Sequence, residues 1–226
     1  MEKRRIVFGT YDTAANGLWT LTALALSGPE LQSHYVEVPG RDGLLDLSTA
    51  LTDGEPRYNS RELEATFESS EGTYAEREAR IRTMTNWLDG WKLDIRLPDD
   101  PGHYMTGRVH VAKNYNDLAH ASVTVTATLD PWRYADDETV VQLTTPTAKD
   151  QVATLTNNGR RSVVPLLEIT GAEGDTVGLA FGAAKWALSP GTYKLPDIVL
   201  RQGDQTLTYN GPETAAVKLS WREAVL

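Results

Sequence analysis

The clearest pattern of hydrophobic and polar positions lies between Glu62 and Glu68, where Leu63, Ala65 and Phe67 alternate with polar residues. Because successive side chains of a strand point to opposite faces of a sheet, this alternation predicts a strand with one buried face. The same period, or a short apolar run between turn residues, recurs along the first 136 residues. The other strands predicted there are residues 3–8, Leu18–Leu26, Tyr35–Val38, Leu93–Leu97, Tyr104–Val111 and Ser122–Leu129.

One segment has the period of a helix. Thr73 and Glu76 form a capping box, in which each side chain accepts a hydrogen bond from the backbone of the other residue. Gly90 is well placed to end the helix because glycine readily adopts a positive φ. We therefore predict a helix over Tyr74–Asp89. Its apolar residues at helical spacing, which we expect in the core, are Ile81, Met84, Leu88 and Trp91.

Beyond Asp136 the pattern changes to short strands separated by turns, with no helical period. Seven short strands with regular turns predict a small antiparallel sandwich. We therefore expect a mainly β (α+β) fold of two domains: an N-terminal β-sandwich with one α-helix over residues 1–136, and a second sandwich over residues 137–226. The seven strands are predicted at Val140–Leu143, Val152–Thr156, Val164–Ile169, Thr176–Phe181, Ile198–Arg201, Thr206–Tyr209 and Ala216–Trp221.

Composition removes several classes of function. The chain of 226 residues has no cysteine, which excludes disulfide scaffolds, cysteine-ligated zinc and thiol nucleophiles. Its formal net charge of −9 is the wrong sign for a surface that grips phosphates. No apolar run approaches the ~18 residues of a membrane span, and the N-terminal segment lacks the core of a signal peptide. We expect synthesis in the cytoplasm.

Residues with catalytic potential do not combine into a known pattern. The four histidines form no helical pair beside a glutamate, and the sequence contains neither a Gly-x-Ser-x-Gly elbow nor a phosphate-binding glycine loop. Asp99-Asp100 and Asp136-Asp137 are adjacent carboxylates, which point apart on a strand and cannot face each other across a glycosidase cleft. We predict no catalytic residues, no metal site and no cofactor, and hence no enzyme.

Aromatic residues of the C-terminal part leave one alternative open. Small sandwiches that bind sugars stack pyranose rings on exposed aromatic side chains, and Trp186 and Tyr193 are the candidates here. The competing interpretation, which we favour, is that these side chains together with Tyr209 and Trp221 fill a small core.

The segment from Val38 to Arg61 carries the most specific motif. Its turn Pro39-Gly40-Arg41-Asp42-Gly43 is followed by Asp46-Leu47 and then by Tyr58-Asn59-Ser60-Arg61. This order resembles the N-terminal part of phage distal tail proteins (Dit), which are tail-tip components of long-tailed phages and prophages. Three further segments resemble motifs of the same family: Asn86–Gly90, Leu97–Arg108 and Leu129–Trp132, the last without the family's cysteine.

The resemblance implies a structural virion protein without catalytic activity. Family members assemble into a hexameric ring that carries a galectin-like sandwich on its outside and joins the tail tube to the tail-tip protein, sometimes beside receptor-binding proteins. DNA passes through the lumen without specific binding, and no membrane is involved. The residues that the motif offers as ring contacts are Arg41, Asp42, Gly43, Asp46, Tyr58, Asn59 and Arg61.

Two other classes stay open: a carbohydrate-binding module for attachment to host glycans, and a hydrolase with an unrecognised site. Molecular size distinguishes both classes from a ring, because a ring elutes at an apparent mass far above that of one chain.

Within the motif, two turns and Pro56 leave few internal backbone hydrogen bonds. We therefore expect Gly40–Arg61 to be ordered by contacts and not by regular structure, with Arg61 as the main anchor because its guanidinium offers five donors.

Overall fold

The computed structural model describes residues 4–52, 54–114, 120–143 and 146–226. The chain divides into two compact units, Met1–Arg133 and Tyr134–Leu226. Among the described residues no helix is both long and apolar enough to cross a membrane.

Seven strands of the first unit form the main path of an antiparallel sheet. Their order in the sheet is β2-β1-β7-β8-β9-β6-β3. Of the strand predicted over residues 3–8, residue 3 lies outside the described part, and pairing is confined to the last two residues. The elements of this unit are β1 (Val7–Phe8), β2 (Tyr11–Asp12), α1 (Thr13–Gly17), β3 (Thr20–Leu26), β4 (Tyr35–Glu37), β5 (Leu44–Asp46), β6 (Arg61–Ser69), α2 (Tyr74–Leu88), β7 (Lys92–Arg96), β8 (His103–Asn114) and β9 (Ala121–Leu129).

The centre of this sheet follows the predicted alternation. Strands β6 and β9 pair over nine residues, from Arg61 opposite Leu129 to Ser69 opposite Ala121. Every second side chain of each strand is buried, which places the core on one face. Gly107 allows β8 to approach β9, because a Cβ at this position would lie 2.4 Å from the carbonyl oxygen of Thr128.

The predicted helix is confirmed and packs on the buried face of β8 and β9. Both halves of the capping box are present: the Thr73 amide donates to Glu76 Oε2 at 2.7 Å, and the Glu76 amide donates to Thr73 Oγ1 at 3.4 Å. Ile81, Met84 and Leu88 are buried. The prediction for Trp91 is wrong, because the helix ends at Leu88 and the side chain of Trp91 is 62% exposed.

The second unit is a pair of four-stranded antiparallel sheets, in the orders β11-β18-β13-β16 and β12-β17-β14-β15. The mainly β fold class is therefore confirmed. The elements from residue 133 onward are β10 (Arg133–Ala135), β11 (Thr139–Gln142), β12 (Gln151–Asn157), β13 (Leu166–Thr170), β14 (Val177–Phe181), β15 (Ala184–Leu188), β16 (Gly191–Tyr193), β17 (Gly203–Asn210), β18 (Ala216–Trp221) and β19 (Ala224–Val225). Strand β19 pairs with β10.

One predicted strand of this unit is absent, and four observed strands, β10, β15, β16 and β19, were missed. Residues 198–201 form no strand; Leu200 makes an isolated bridge to Val163, although Ile198 and Leu200 are both buried. Strands β15 and β16 pair with β14 and β13, respectively, and complete the two sheets. The apolar residues at 198 and 200 therefore reflect burial of a loop and not strand pairing.

Candidate assembly surface

The segment between β3 and β6, residues 27–60, leaves the sheet as an arm. At its root, the ladder between β3 and β6 continues outward through backbone hydrogen bonds. The Ser27 amide donates to the Glu62 carbonyl at 2.9 Å, and the Asn59 amide donates to the Glu30 carbonyl at 2.8 Å. The Gln32 amide donates to the carbonyl of Arg57 at 2.8 Å, so the pairing extends at least this far.

Arg61 fastens the root to the domain. It is the first residue of β6 and occupies an inward position, so its side chain is only 3% exposed. Its Nε donates to the carbonyl of Ser27 at 2.8 Å and thereby joins the two sides of the root. Burial lowers the pKa of Arg61, nearby Arg133 lowers it further, and Asp100 opposes the shift. The root thus contains a buried positive charge held by a backbone carbonyl.

Two other motif residues also lie at the root. The ring of Tyr58 meets Trp132 edge to face, with 5.5 Å between the ring centroids. Asn59 Nδ2 donates to a carboxylate oxygen of Glu30 at 3.4 Å, beside the backbone bond that joins the same two residues. The structure therefore brings together three motif residues that attach the arm to the rest of the unit, namely Tyr58, Asn59 and Arg61.

The remaining motif residues lie in the distal hairpin, residues 34–48, where β4 pairs with β5. Gly40 and Gly43 have φ of 81° and 75°, the left-handed conformation that glycine tolerates, and Arg41 and Asp42 lie between them. Asp46 Oδ1 accepts a hydrogen bond from the Ser48 amide at 2.9 Å, and the side-chain and backbone groups of Ser48 lower the pKa of Asp46.

The expectation that Gly40–Arg61 lacks regular structure is wrong at both ends of the segment. Leu44–Asp46 forms β5, and Arg61 begins β6. Tyr58 also makes an isolated bridge to Leu31. The turn at Gly40–Gly43 closes the β4–β5 hairpin, and the missed strand β5 follows from that closure.

Beyond the root, the arm exposes apolar side chains. Leu51 is 99% exposed and Leu44 is 59% exposed. Single exposed apolar residues are ordinary on protein surfaces, but a concentration within one protruding segment is typical of interaction sites. The apolar residues of the arm that are exposed are Leu31, Tyr35, Val36, Leu44, Leu47 and Leu51.

The strand next to the arm is an edge of the sheet that carries neither a charge nor a proline to prevent pairing. Strand β3 is the last in the sheet order and has the sequence TLTALAL, without charge or proline. Natural edge strands usually carry a charge, a proline or a bulge that prevents pairing with another chain. A register shift between Leu21 and Ala23 is present on the side that pairs with β6. The edge therefore offers backbone groups for pairing with another chain.

The solvated face of the sheet forms a trough of about 1060 Å³. Glu62 and Glu64 of β6 line one side, and Arg108 and His110 of β8 line the other. The basic side is engaged within the chain: Arg108 donates to the carbonyl of Gly90, and His110 Nδ1 lies 2.7 Å from Asp89 Oδ1. Among the described residues, the carboxylates of Glu62 and Glu64 have no ion-pair partner. Net negative charge is therefore available on this face.

The aromatic candidates of the second unit, Trp186 and Tyr193, are half-buried. Both pack against that unit's core, and the Tyr193 hydroxyl donates to the carbonyl of Ser189 at 2.8 Å. Tyr209 and Trp221 are almost fully buried. No group of three or more acidic or histidine side chains suited to a metal ion occurs in the described part of the chain.

The sequence missed the uncharged edge, the trough and the exposure of the arm. A charge-free edge is visible in the residues of β3, but its position at the end of the sheet is not. Hydrophobicity alone predicts that the apolar residues of the arm are buried, whereas the structure exposes them.

Comparison with known proteins finds the same fold in a phage tail component. The chain is similar to the Dit protein of phage SPP1, whose crystal structure is described as a paradigm of the hub adsorption apparatus of phages that infect Gram-positive bacteria. The TM-score is 0.67 at 14% sequence identity, over 98% of this chain and 99% of the SPP1 chain. The resemblance to Dit proteins and the mainly β fold that it implied are confirmed. No protein-family model and no curated protein sequence matches the chain.

Proposed function

We propose that this chain is a distal tail protein that forms the hub of a phage or prophage tail tip. The similarity of fold to the SPP1 hub protein along almost the whole chain carries the proposal, because both units and the connection between them are included. In this role the protein is structural and not an enzyme, and it resides in the virion. Besides further copies of this chain, its partners are the tail tube protein, the tail-tip protein and receptor-binding proteins.

Assembly into a closed ring, with six copies as in the family, accounts for the surfaces of the first unit. Strand β3 leaves one edge of the sheet unpaired by any described strand, and the arm exposes apolar residues such as Leu44 and Leu51. A head-to-tail contact uses two different patches on each copy and closes when the rotation is right. The arm then buries its leucines against the neighbouring subunit, which removes apolar surface from water.

The trough supports the passage of DNA through such a ring. We assign the solvated face of the sheet to the lumen. Its free carboxylates at Glu62 and Glu64 repel phosphates, and its cations Arg108 and Lys92 are already engaged by the carbonyl of Gly90 and by Asp130. A wall of this kind lets DNA pass without holding it, since affinity for DNA requires cations that neutralise phosphates.

The second unit is a galectin-like sandwich on the outside of the ring in this proposal. The assignment of ring formation to residues 1–136 and of the galectin-like sandwich to residues 137–226 follows the family's organisation. Two antiparallel four-stranded sheets are consistent with it.

Mass and shape of the purified protein test the proposal. We expect light scattering at high protein concentration to give six times the 24.9 kDa chain mass, and negative-stain electron microscopy to show annular particles. The matched control is the same protein at low concentration, where mass action favours the monomer. A monomer at every concentration, with and without a tail tube protein, would contradict ring formation. Glycan binding by such a monomer would favour a carbohydrate-binding module instead.

A further inference from the structure

A cluster of charged side chains at the root of the arm has an excess of positive groups. This root cluster consists of Arg61, Asp100, His103 and Arg133. Arg133 Nη1 lies 3.3 Å from Asp100 Oδ2, and His103 Nδ1 lies 3.0 Å from Asp100 Oδ1. Among the described residues, no second carboxylate forms an ion pair with either arginine. Arg133 therefore pairs with Asp100, whereas Arg61 has no ion pair among the described residues and is affected by that carboxylate only through space.

The same two arginines have unused donors. Arg61 Nη1 and Arg133 Nε are both buried and have no hydrogen-bond partner. Almost all buried polar groups of proteins are hydrogen-bonded, so two such donors in one cluster are unusual. Since Arg133 repels the charge of Arg61, a further negative charge nearby would stabilise both.

One side of the root cluster is open to solvent. The side chains of Arg133 and His103 are 31% and 34% exposed, whereas Arg61 is buried beneath them. An incoming carboxylate can therefore meet Arg133 and His103 directly and act on Arg61 through space. The exposed part of the Arg133 guanidinium suits this role, because a hydrogen bond between a guanidinium and a carboxylate is charge-assisted.

The distal hairpin presents a carboxylate of the right kind. Asp42 is exposed in the turn between Gly40 and Gly43, and it has no hydrogen bond or ion pair with any described residue. The chain runs from Ser27 at the root to Val38, just before the turn that carries Asp42, and eleven residue steps of extended chain span about 35 Å. This length is comparable with the diameter of a domain of this size, so the arm can reach from one subunit to the next.

We propose that the root cluster receives the Asp42 carboxylate of a second copy of this chain. The distal hairpin of each subunit then closes on the arm root of its neighbour, and every subunit gives one carboxylate and receives one. This inference rests on the ring proposed above and names the residues that meet in it.

Crosslinking tests the contact while Asp42 and the root cluster keep their native side chains. The chain has no cysteine, so Arg41→Cys and Asp99→Cys, which flank Asp42 and Asp100, can be joined by a short bis-maleimide. We expect a ladder of covalent oligomers on a denaturing gel. The matched control pairs Arg41→Cys with Glu213→Cys, an exposed position in the second unit, and should give no ladder.

Charge reversal tests the chemistry. Asp42→Lys changes an exposed side chain that has no partner among the described residues, and it should lower the crosslinked fraction about tenfold at low salt, because like charges across an interface repel. Adding Arg133→Glu should restore most of it, once a thermal melt shows that this variant is folded. If Arg133→Glu does not fold, the effect of Asp42→Lys decides alone.

The outcomes separate this inference from the proposed function. Rings without the ladder would overturn the contact and leave the ring intact. A ladder that Asp42→Lys leaves unchanged would overturn the role of the carboxylate. Monomers at every concentration, with no ladder, would overturn both the contact and the ring.

Discussion

Replacing Arg61 by alanine tests whether this residue fastens the arm to the domain. The substitution removes the hydrogen bond from Nε to the Ser27 carbonyl and leaves a cavity at a site that is 3% exposed. A hydrogen bond from a charged donor contributes about 1.5–3 kcal/mol to folding. Relief of the repulsion by Arg133 offsets part of the loss. We expect Arg61→Ala to destabilise the first unit by about 2 kcal/mol.

Thermal unfolding followed by circular dichroism measures this change. For a unit of this size, about 2 kcal/mol corresponds to a Tm lower by about 5–10 °C. The matched control is Arg82→Ala on the exposed side of α2, which should change stability by less than about 0.5 kcal/mol. Arg61→Lys keeps the charge but loses the planar fork, and it should fall between the two. Equal and negligible shifts for Arg61→Ala and Arg82→Ala would refute the role of Arg61.

Three further predictions follow from α2 and the arm. Thr73→Ala should destabilise the protein by about 1 kcal/mol through loss of the helix cap, and an unchanged denaturant midpoint would show that the cap contributes nothing. Leu51→Ser and Leu44→Ser should lower the ring fraction in light scattering while the monomer melts at the same temperature, since both side chains are exposed in the monomer; an unaltered ring fraction would argue against burial of the arm. Hydrogen bonding by the Val111 amide lowers the pKa of Asp89, so the folded state is stabilised above the unfolded pKa and loses that contribution as the pH falls through the lower folded value. Asp89→Asn should therefore reduce the loss of stability below about pH 4, and identical acid-unfolding curves would contradict this assignment.

Local signals predicted the centre of the first unit well. The capping box of Thr73 and Glu76 and the buried series through Leu88 both act within a few residues, and together they determine α2. Alternation along β6 and β9 likewise determines which face is buried. Such signals are readable from sequence because the physical cause and its effect lie in the same short segment.

Other features depend on distant partners and could not be predicted in this way. Leu200 is buried in the core of the second unit and makes only an isolated bridge to Val163, so its apolar character was mistaken for a strand. Arg61 occupies a buried strand position because a carbonyl 34 residues away accepts its hydrogen bond. Leu51 is hydrophobic but exposed in the monomer. No local sequence pattern indicates that a side chain becomes buried only against another subunit.

The continuous ladder from the arm into the sheet has a mechanical consequence. Tension applied at the root of the arm runs into β3 and β6 through the paired segments 27–32 and 57–62. Strand β6 is paired with β9 over nine residues in register, and its hydrogen bonds lie across the direction of pull. Those bonds bear the load together and must shear at once, whereas a sideways pull would unzip them singly. The arm is thus a stiff tether, whose failure under force is set by the rate of unfolding of the whole sheet.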